Sequence, residues 1–148
     1  MSITEYYQKR IASSEAYVKE KKEENADYAQ QEEQEKDLLG QQTSEMNALK
    51  THVRDIQNKL EIFVRDNGGL FGLTGEKERV YSGMMKKYRT LNANLKNVKN
   101  LRYITAHNIT SLSNRQYSNY MSIFNETLGI GELKNQQHLF SALTSNLG

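Results

Sequence analysis

Cysteine and proline are both missing from this chain of 148 residues. Without cysteine there can be no disulfide, no thiolate metal site and no thiol nucleophile. Without proline the strongest helix breaker is gone. Apolar residues are scarce at 36%, against roughly 45–50% in globular domains when glycine is counted. A thin core between two long helices needs far fewer apolar residues than a compact one, and it fits better. No apolar run exceeds three residues, far below the ~20 of a membrane span. The opening MSITEYYQKR lacks the apolar stretch of a secretory signal. The expectation is a cytoplasmic protein, or one exported without a cleaved signal peptide.

What is present is helical text with punctuation. Glycine clusters at Gly68, Gly69, Gly72 and Gly75, and again at Gly129 and Gly131. Leu39, Gln42, Met46, Leu49, Val53, Ile56, Leu60 and Phe63 recur at alternating three- and four-residue steps. That spacing is an a/d stripe, the mark of a helix lying along another helix. Upstream, Lys19 to Asp37 holds eight acids and four bases and almost nothing apolar beyond Ala26, Tyr28 and Ala29. Ile3, Tyr7, Ile11 and Val18 restore an apolar face near the start. Helix 1 is predicted over about 3–65, roughly 90 Å at 1.5 Å per residue.

Asp66-Asn67-Gly68-Gly69 supplies residues that accept left-handed backbone and ends this helix. Leu70, Phe71 and Leu73 form an apolar tip within a turn spanning 66–75, and Thr74 is placed to cap the next helix. Helix 2, predicted over about 75–112, carries Tyr81, Met84, Tyr88, Leu91, Leu95 and Val98 at the same alternating steps. Its stripe then drifts through Leu101, Ile104 and Leu112. Ser113 with Gln116 has the spacing of a capping box and suggests a restart. Helix 3 follows over about 114–128, with Tyr117, Tyr120, Met121, Phe124 and Leu128 on one face. After Gly129-Ile130-Gly131 a short helix 4 is expected over about 132–146, with Leu133, Phe140, Leu143 and Leu147. Folding back at the glycine turn pairs residues whose numbers sum to about 141. Leu60 then faces Tyr81, Leu49 faces Leu91, and the polar stretch 19–37 falls opposite 104–122, whose first part is the polar Thr105–Arg115. The fold class is all-α: a long antiparallel helical hairpin, coiled-coil-like, in one elongated domain over 1–148 with a short C-terminal helix.

Net charge is +2, but unevenly spread. Residues 1–66 hold 10 Lys/Arg and 14 Asp/Glu, net −4, whereas 67–148 hold 10 and 4, net +6. Pairing of the two halves within the chain is the first reading. Nucleic-acid binding by Lys77, Arg79, Lys86, Lys87, Arg89, Lys96, Lys99 and Arg102 is the second, and the less favoured.

Chemistry-bearing motifs are sparse. The turn Gly68–Lys77 resembles a phosphate loop only in its glycines. Walker A needs Lys directly after the last Gly, and here Glu76 occupies that place. His52, His107 and His138 fit no metal-binding spacing. The acids of 20–37 lack a calcium loop's geometry. No catalytic, cofactor-binding or metal-binding residue is assigned, and the chain reads as a non-enzyme. The apolar residues with the weakest intramolecular claim are Leu70, Phe71 and Leu73 at the tip, with Tyr117, Tyr120, Phe124, Phe140 and Leu143 near the C-terminus. These are the candidate contacts for another helical protein, an effector or an assembly component.

A two-helix chain turning on Leu70-Phe71-Gly72 and Leu73-Thr74-Gly75, with flanking stripes, resembles the small helical partners of LXG toxins in bacterial (Firmicute) type VII secretion. These are similar to elongated WXG100 proteins. The resemblance is one of architecture over about 1–128. It implies a chaperone or targeting partner that binds the helical domain of a secreted effector side by side. A structural or assembly protein of a phage or secretion apparatus, self-associating through the same stripes, is the alternative.

Overall fold

The structure, a computed structural model, describes residues 2–147. It contains two long helices, α1 at Ile3–Asp66 and α2 at Glu76–Leu147, joined through a single 3₁₀ turn at Leu70–Gly72. The hairpin expected from the stripes is present. By contacts the chain divides into two compact units, Met1–Gln34 with Ile109–Gly148, and Glu35–Asn108. Each unit is an antiparallel pair made from one stretch of α1 and one of α2.

Local chemistry sets the ends. Ser2 Oγ accepts from the Glu5 amide at 3.1 Å, while Glu5 Oε2 accepts from the Ser2 amide at 3.4 Å. This reciprocal capping box satisfies amides that α1 itself cannot. At the other end of α1, Gly68 and Gly69 take φ of 78° and 91°, conformations in which a Cβ would be strained. The Gly69 amide donates to the Val64 carbonyl at 2.8 Å and closes the helix. Gly72 is required for a different reason, since a Cβ there would collide with the Asn67 carbonyl oxygen. Thr74 contributes to the start of α2 through its carbonyl, which accepts from the Lys77 amide at 3.2 Å, rather than through its hydroxyl. Glu76 and Glu78 lie in the first turn, where the helix dipole favours acids.

The second unit, Glu35–Asn108, holds the better core. Met46, Val53, Leu95 and Val98 are buried together, with Leu49, Tyr88 and Leu91 packed against them. Ile56 and Leu60 are buried further toward the turn. The first unit has a thinner core, with Ile11 and Val18 from α1 and Leu112 and Leu133 from α2.

Two expectations are corrected. α2 runs unbroken through Ser113 and through Gly129-Ile130-Gly131, so the expected helices 2, 3 and 4 are one element. Ser113 does not cap, because Gln116 is committed to α1: its Nε2 donates to the Glu32 carboxylate and its carbonyl accepts from Asn25 Nδ2 at 3.2 Å. The two glycines cost about 1 kcal/mol each relative to alanine, and Ile130 and Leu133, half-buried and buried, offset that loss. The stripe also does not drift. In the second unit the repeat passes from Val98 through Arg102 to Thr105, and in the first it proceeds by Ile109, Leu112, Gln116, Asn119 and Ile123, all at least half-buried. Leu101 and Ile104 lie exposed on another face. The side chain of Leu147, expected on the last apolar face, lies outside the described residues.

Candidate functional site: polar seam and uncovered apolar surfaces

The face of α1 that meets α2 stays polar where the sequence is polar. In the first unit Glu24 accepts hydrogen bonds from Asn119 Nδ2 and from Tyr28 Oη, both at 3.1 Å, with Lys21 Nζ at 3.5 Å. The bonds from Asn119 and then Tyr28, aided by the Lys21 charge, hold the Glu24 carboxyl below its ordinary value of 4.5. Arg115 lies over the Tyr28 ring, and Lys134 pairs with Glu15 across the helices at 3.4 Å. In the second unit Arg102 Nε donates to Thr43 Oγ1 at 2.9 Å, and Gln57 Nε2 donates to Tyr88 Oη at 3.2 Å. Of the acid–base pairing expected between the halves, Lys134–Glu15 is an ion pair, whereas the other contacts between the helices join at least one neutral side chain. Lys21–Glu24 and Arg79–Glu76 are pairs within one helix.

A pH dependence follows from Glu24. Its folded-state pKa is depressed, so its contribution to stability is fully present above about 4.5. That contribution is lost as pH falls through the lower folded value. Urea unfolding of the native chain should show a larger drop in midpoint between pH 6 and pH 3 than that of Glu24→Gln. Equal drops would mean that the Asn119 and Tyr28 bonds do not favour the ionised form.

Two apolar surfaces remain uncovered. At the turn, in the second unit, Phe71 is wholly exposed and Leu70 largely so, whereas Leu73 is half-buried. Beside them lies an open depression of about 400 Å³, lined by Leu60, Val64, Leu70 and Tyr81 with Glu61 and Arg65 at its rim. In the first unit, α2 exposes Tyr117, Tyr120, Phe124 and Leu143. Tyr117, Tyr120 and Phe124 each follow a seam residue, Gln116, Asn119 and Ile123, by one position, about 100° around the helix, so they flank the side that faces α1. Of the expected contact residues Leu73 and Phe140 are the two that are half-buried, and Phe140 departs from these surfaces. It continues the seven-residue step from Leu133, so it belongs to the side facing α1. Leu139, exposed and one helical turn before Leu143, was not among the expected residues. Its signal is the four-residue step to Leu143.

A third surface is charged. Arg79, Lys86, Arg89 and Lys96 recur at seven- and three-residue steps on the exposed side of α2 in the second unit. No acid occurs between Glu78 and Glu126. Lys86, Arg89 and Lys96 make no ion pair among the described residues. His52, His107 and His138 are all exposed. Among the described residues no group of three or more His, Asp or Glu is placed to hold a metal ion, and no helix is long and apolar enough to cross a membrane. Comparison with models of known protein families, with curated proteins and with solved structures gives no match.

Proposed function

We propose that this chain is a non-enzymatic protein-interaction module, a chaperone or targeting partner for the helical domain of another protein. The resemblance to LXG-associated, WXG100-like proteins makes a secreted effector the first candidate for that partner. The observation that carries the reading is the turn. A wholly exposed phenylalanine and an exposed leucine stand beside an apolar depression with one acid and one base on its rim. Burial of such groups is worth roughly 1.5–3 kcal/mol per large side chain, and nothing within the second unit supplies it. An amphipathic helix end with a polar rim of its own is the matching ligand.

The test is co-purification and titration of the full chain with the helical domain of a candidate secreted effector. Phe71→Ala should weaken binding by about 30-fold, the equivalent of a ~2 kcal/mol anchor. Helical content by circular dichroism should stay unchanged, since the side chain packs against nothing. Undiminished binding would remove the turn from the interface.

A second reading is favoured by the basic face of α2, where Arg79 is paired with Glu76 and no acid lies from Arg79 to Asn125. Four regularly spaced cations on one helix side suit a polyanion such as nucleic acid. Retention on heparin that falls steeply with added salt, together with no effect of Phe71→Ala, would move the assignment there. The assembly-protein alternative depends on self-association, for which the first unit holds further exposed apolar residues.

A further inference from the structure

We infer that one flank of α2 in the second unit binds single-stranded nucleic acid, with a base stacked on Tyr103 and phosphates held by Arg89, Lys96 and Lys99. The inference rests on the polyanion reading of the basic face and names the ligand and the residue that selects it. It is independent of the surface at the turn.

The helix repeat fixes which flank this is. Tyr88, Leu95 and Arg102 lie on the seven-residue step that faces α1. Arg89, Lys96 and Tyr103 each follow one of them by one position, about 100° around the helix, and all three are exposed. Lys99 follows the buried Val98 in the same way. Lys87 precedes Tyr88 and so lies on the opposite flank. On α1, Thr43 and Gln57 follow Gln42 and Ile56 by one position, and they bond to Arg102 and Tyr88. Lys50, exposed and seven residues from each of them, adds a cation from α1 to this edge.

Acids are few along it. α2 has none from Arg79 to Asn125. Glu45 and Asp55 precede the buried Met46 and Ile56 and lie on the other flank of α1, Asp37 faces outward, and Glu35 is half-buried on the seam. Glu61, toward the turn, is the acid that shares the edge. Lys50, Arg89, Lys96 and Lys99 make no ion pair among the described residues. Arg89 and Lys99 are roughly 15 Å apart along the helix. A row of unpaired cations of that length suits a phosphate backbone.

What selects a single strand is the cleft at the end of the row. It measures about 320 Å³ and is lined by Leu39, Lys99, Arg102, Tyr103 and Ala106, with no acid. Tyr103 is 76% exposed, so its ring is left to solvent beside two cations. Arg102 is steadied there by its Nε bond to Thr43 Oγ1 at 2.9 Å. Every base has a π-face that can stack on such a ring while neighbouring cations take the phosphates. In a duplex that face is covered by the adjacent base pairs. An acidic protein segment would engage the cations and leave the ring unused.

Fluorescence anisotropy of the full chain with a labelled oligothymidylate of about 12 nucleotides tests this, beside a duplex of equal length and a heparin column. The single strand should bind more tightly than the duplex. Tyr103→Ala should weaken oligothymidylate binding about 10-fold, the loss of one stacked base. Heparin retention and helical content by circular dichroism should not change, and Tyr103→Phe should bind as the native chain does. Lys96→Gln/Lys99→Gln should weaken both ligands and flatten the salt slope for the oligonucleotide by about 1.4, the equivalent of two phosphates of a single strand. Lys87→Gln, on the opposite flank, should leave that slope unchanged. Heparin retention with no effect of Tyr103→Ala on the oligonucleotide would overturn the inference and leave the polyanion reading standing. Tighter binding of the duplex would do the same. A native chain that binds neither heparin nor the oligonucleotide would remove both.

Discussion

Leu95→Ala should lower the stability of the protein by about 2–4 kcal/mol, read from urea unfolding followed by circular dichroism. Leu95 is 7% exposed and packs among Met46, Val53 and Val98, the one cluster in which four buried apolar side chains meet. Removing three heavy atoms forfeits their transfer energy, and the rigid backbones of two paired helices leave the cavity little means of collapse. Domains are stable by only ~5–15 kcal/mol in all, so a loss of this size shifts the whole transition. Leu101→Ala is the control. Leu101 is the same residue type on the same helix but is 52% exposed, and its truncation should stay within about 0.5 kcal/mol. His52→Ala, also exposed, should be equally quiet. A large loss for Leu101 with none for Leu95 would place the packing face on the wrong side of α2.

The contrast between these leucines marks how far the sequence could be read. Where the repeat is written in apolar residues, as at 39–63 and 81–98, spacing alone identifies both helices and their mutual face: Leu60 and Tyr81 line one depression, and Leu49 and Leu91 pack against one buried cluster. Where polar residues occupy the same repeat the signal vanishes, although the geometry persists. Lys21, Asn25, Glu32 and Glu35 are all half-buried on the seven-residue step of α1, yet each one by itself resembles a solvated surface residue. The apolar residues of α2 that lie off the repeat, Leu101 and Ile104, then give the stripe a false drift. A hydrophobic-period argument reads residue identity, and here identity and burial part company.

Helix breaks were misread for a related reason. Ser113-x-x-Gln116 and Gly129-Ile130-Gly131 are local signals, and each is overridden by a tertiary one. Gln116 makes hydrogen bonds to Asn25 and Glu32 of α1 as well as to the Leu112 carbonyl, and the glycines are bracketed by residues that face α1. In contrast, the capping box at Ser2 and Glu5 has the Ser-x-x-Glu spacing and forms as that local signal specifies. The exposed surfaces were easier. Leu70 and Phe71 follow two glycines, and residues fixed on a turn have no helix neighbours to cover them. Phe140 shares its neighbourhood with Leu139 and Leu143, and the seven-residue step from Leu133 is what places it, half-buried, on the inner side.

The polar seam yields the most direct test of why the repeat is kept without its apolar residues. Gln42 is 8% exposed, lies in the second unit between Leu39 and Met46 on the repeat, and its Oε1 is buried with no hydrogen-bond partner. A buried carbonyl stripped of water and left unpaired costs about 1–3 kcal/mol. Leucine matches glutamine closely in volume, fits the same helical rotamers and brings no polar atom. Gln42→Leu should therefore stabilise the protein by ~1–3 kcal/mol, seen as a rise in urea midpoint with an unchanged slope. The reverse charge test, Gln42→Glu, should destabilise it at pH 7, because the same site would then bury a carboxylate. Glutamine at this position has a compensating use: an apolar stripe without polar members can slide by a full heptad, whereas a polar residue at one a/d position penalises every misregistered pairing. If register is what Gln42 secures, the stabilised variant should elute from size-exclusion chromatography as more than one species at high concentration, while the native chain elutes as one. A fall in midpoint for Gln42→Leu would show instead that the amide is satisfied and that the seam depends on its polarity for strength.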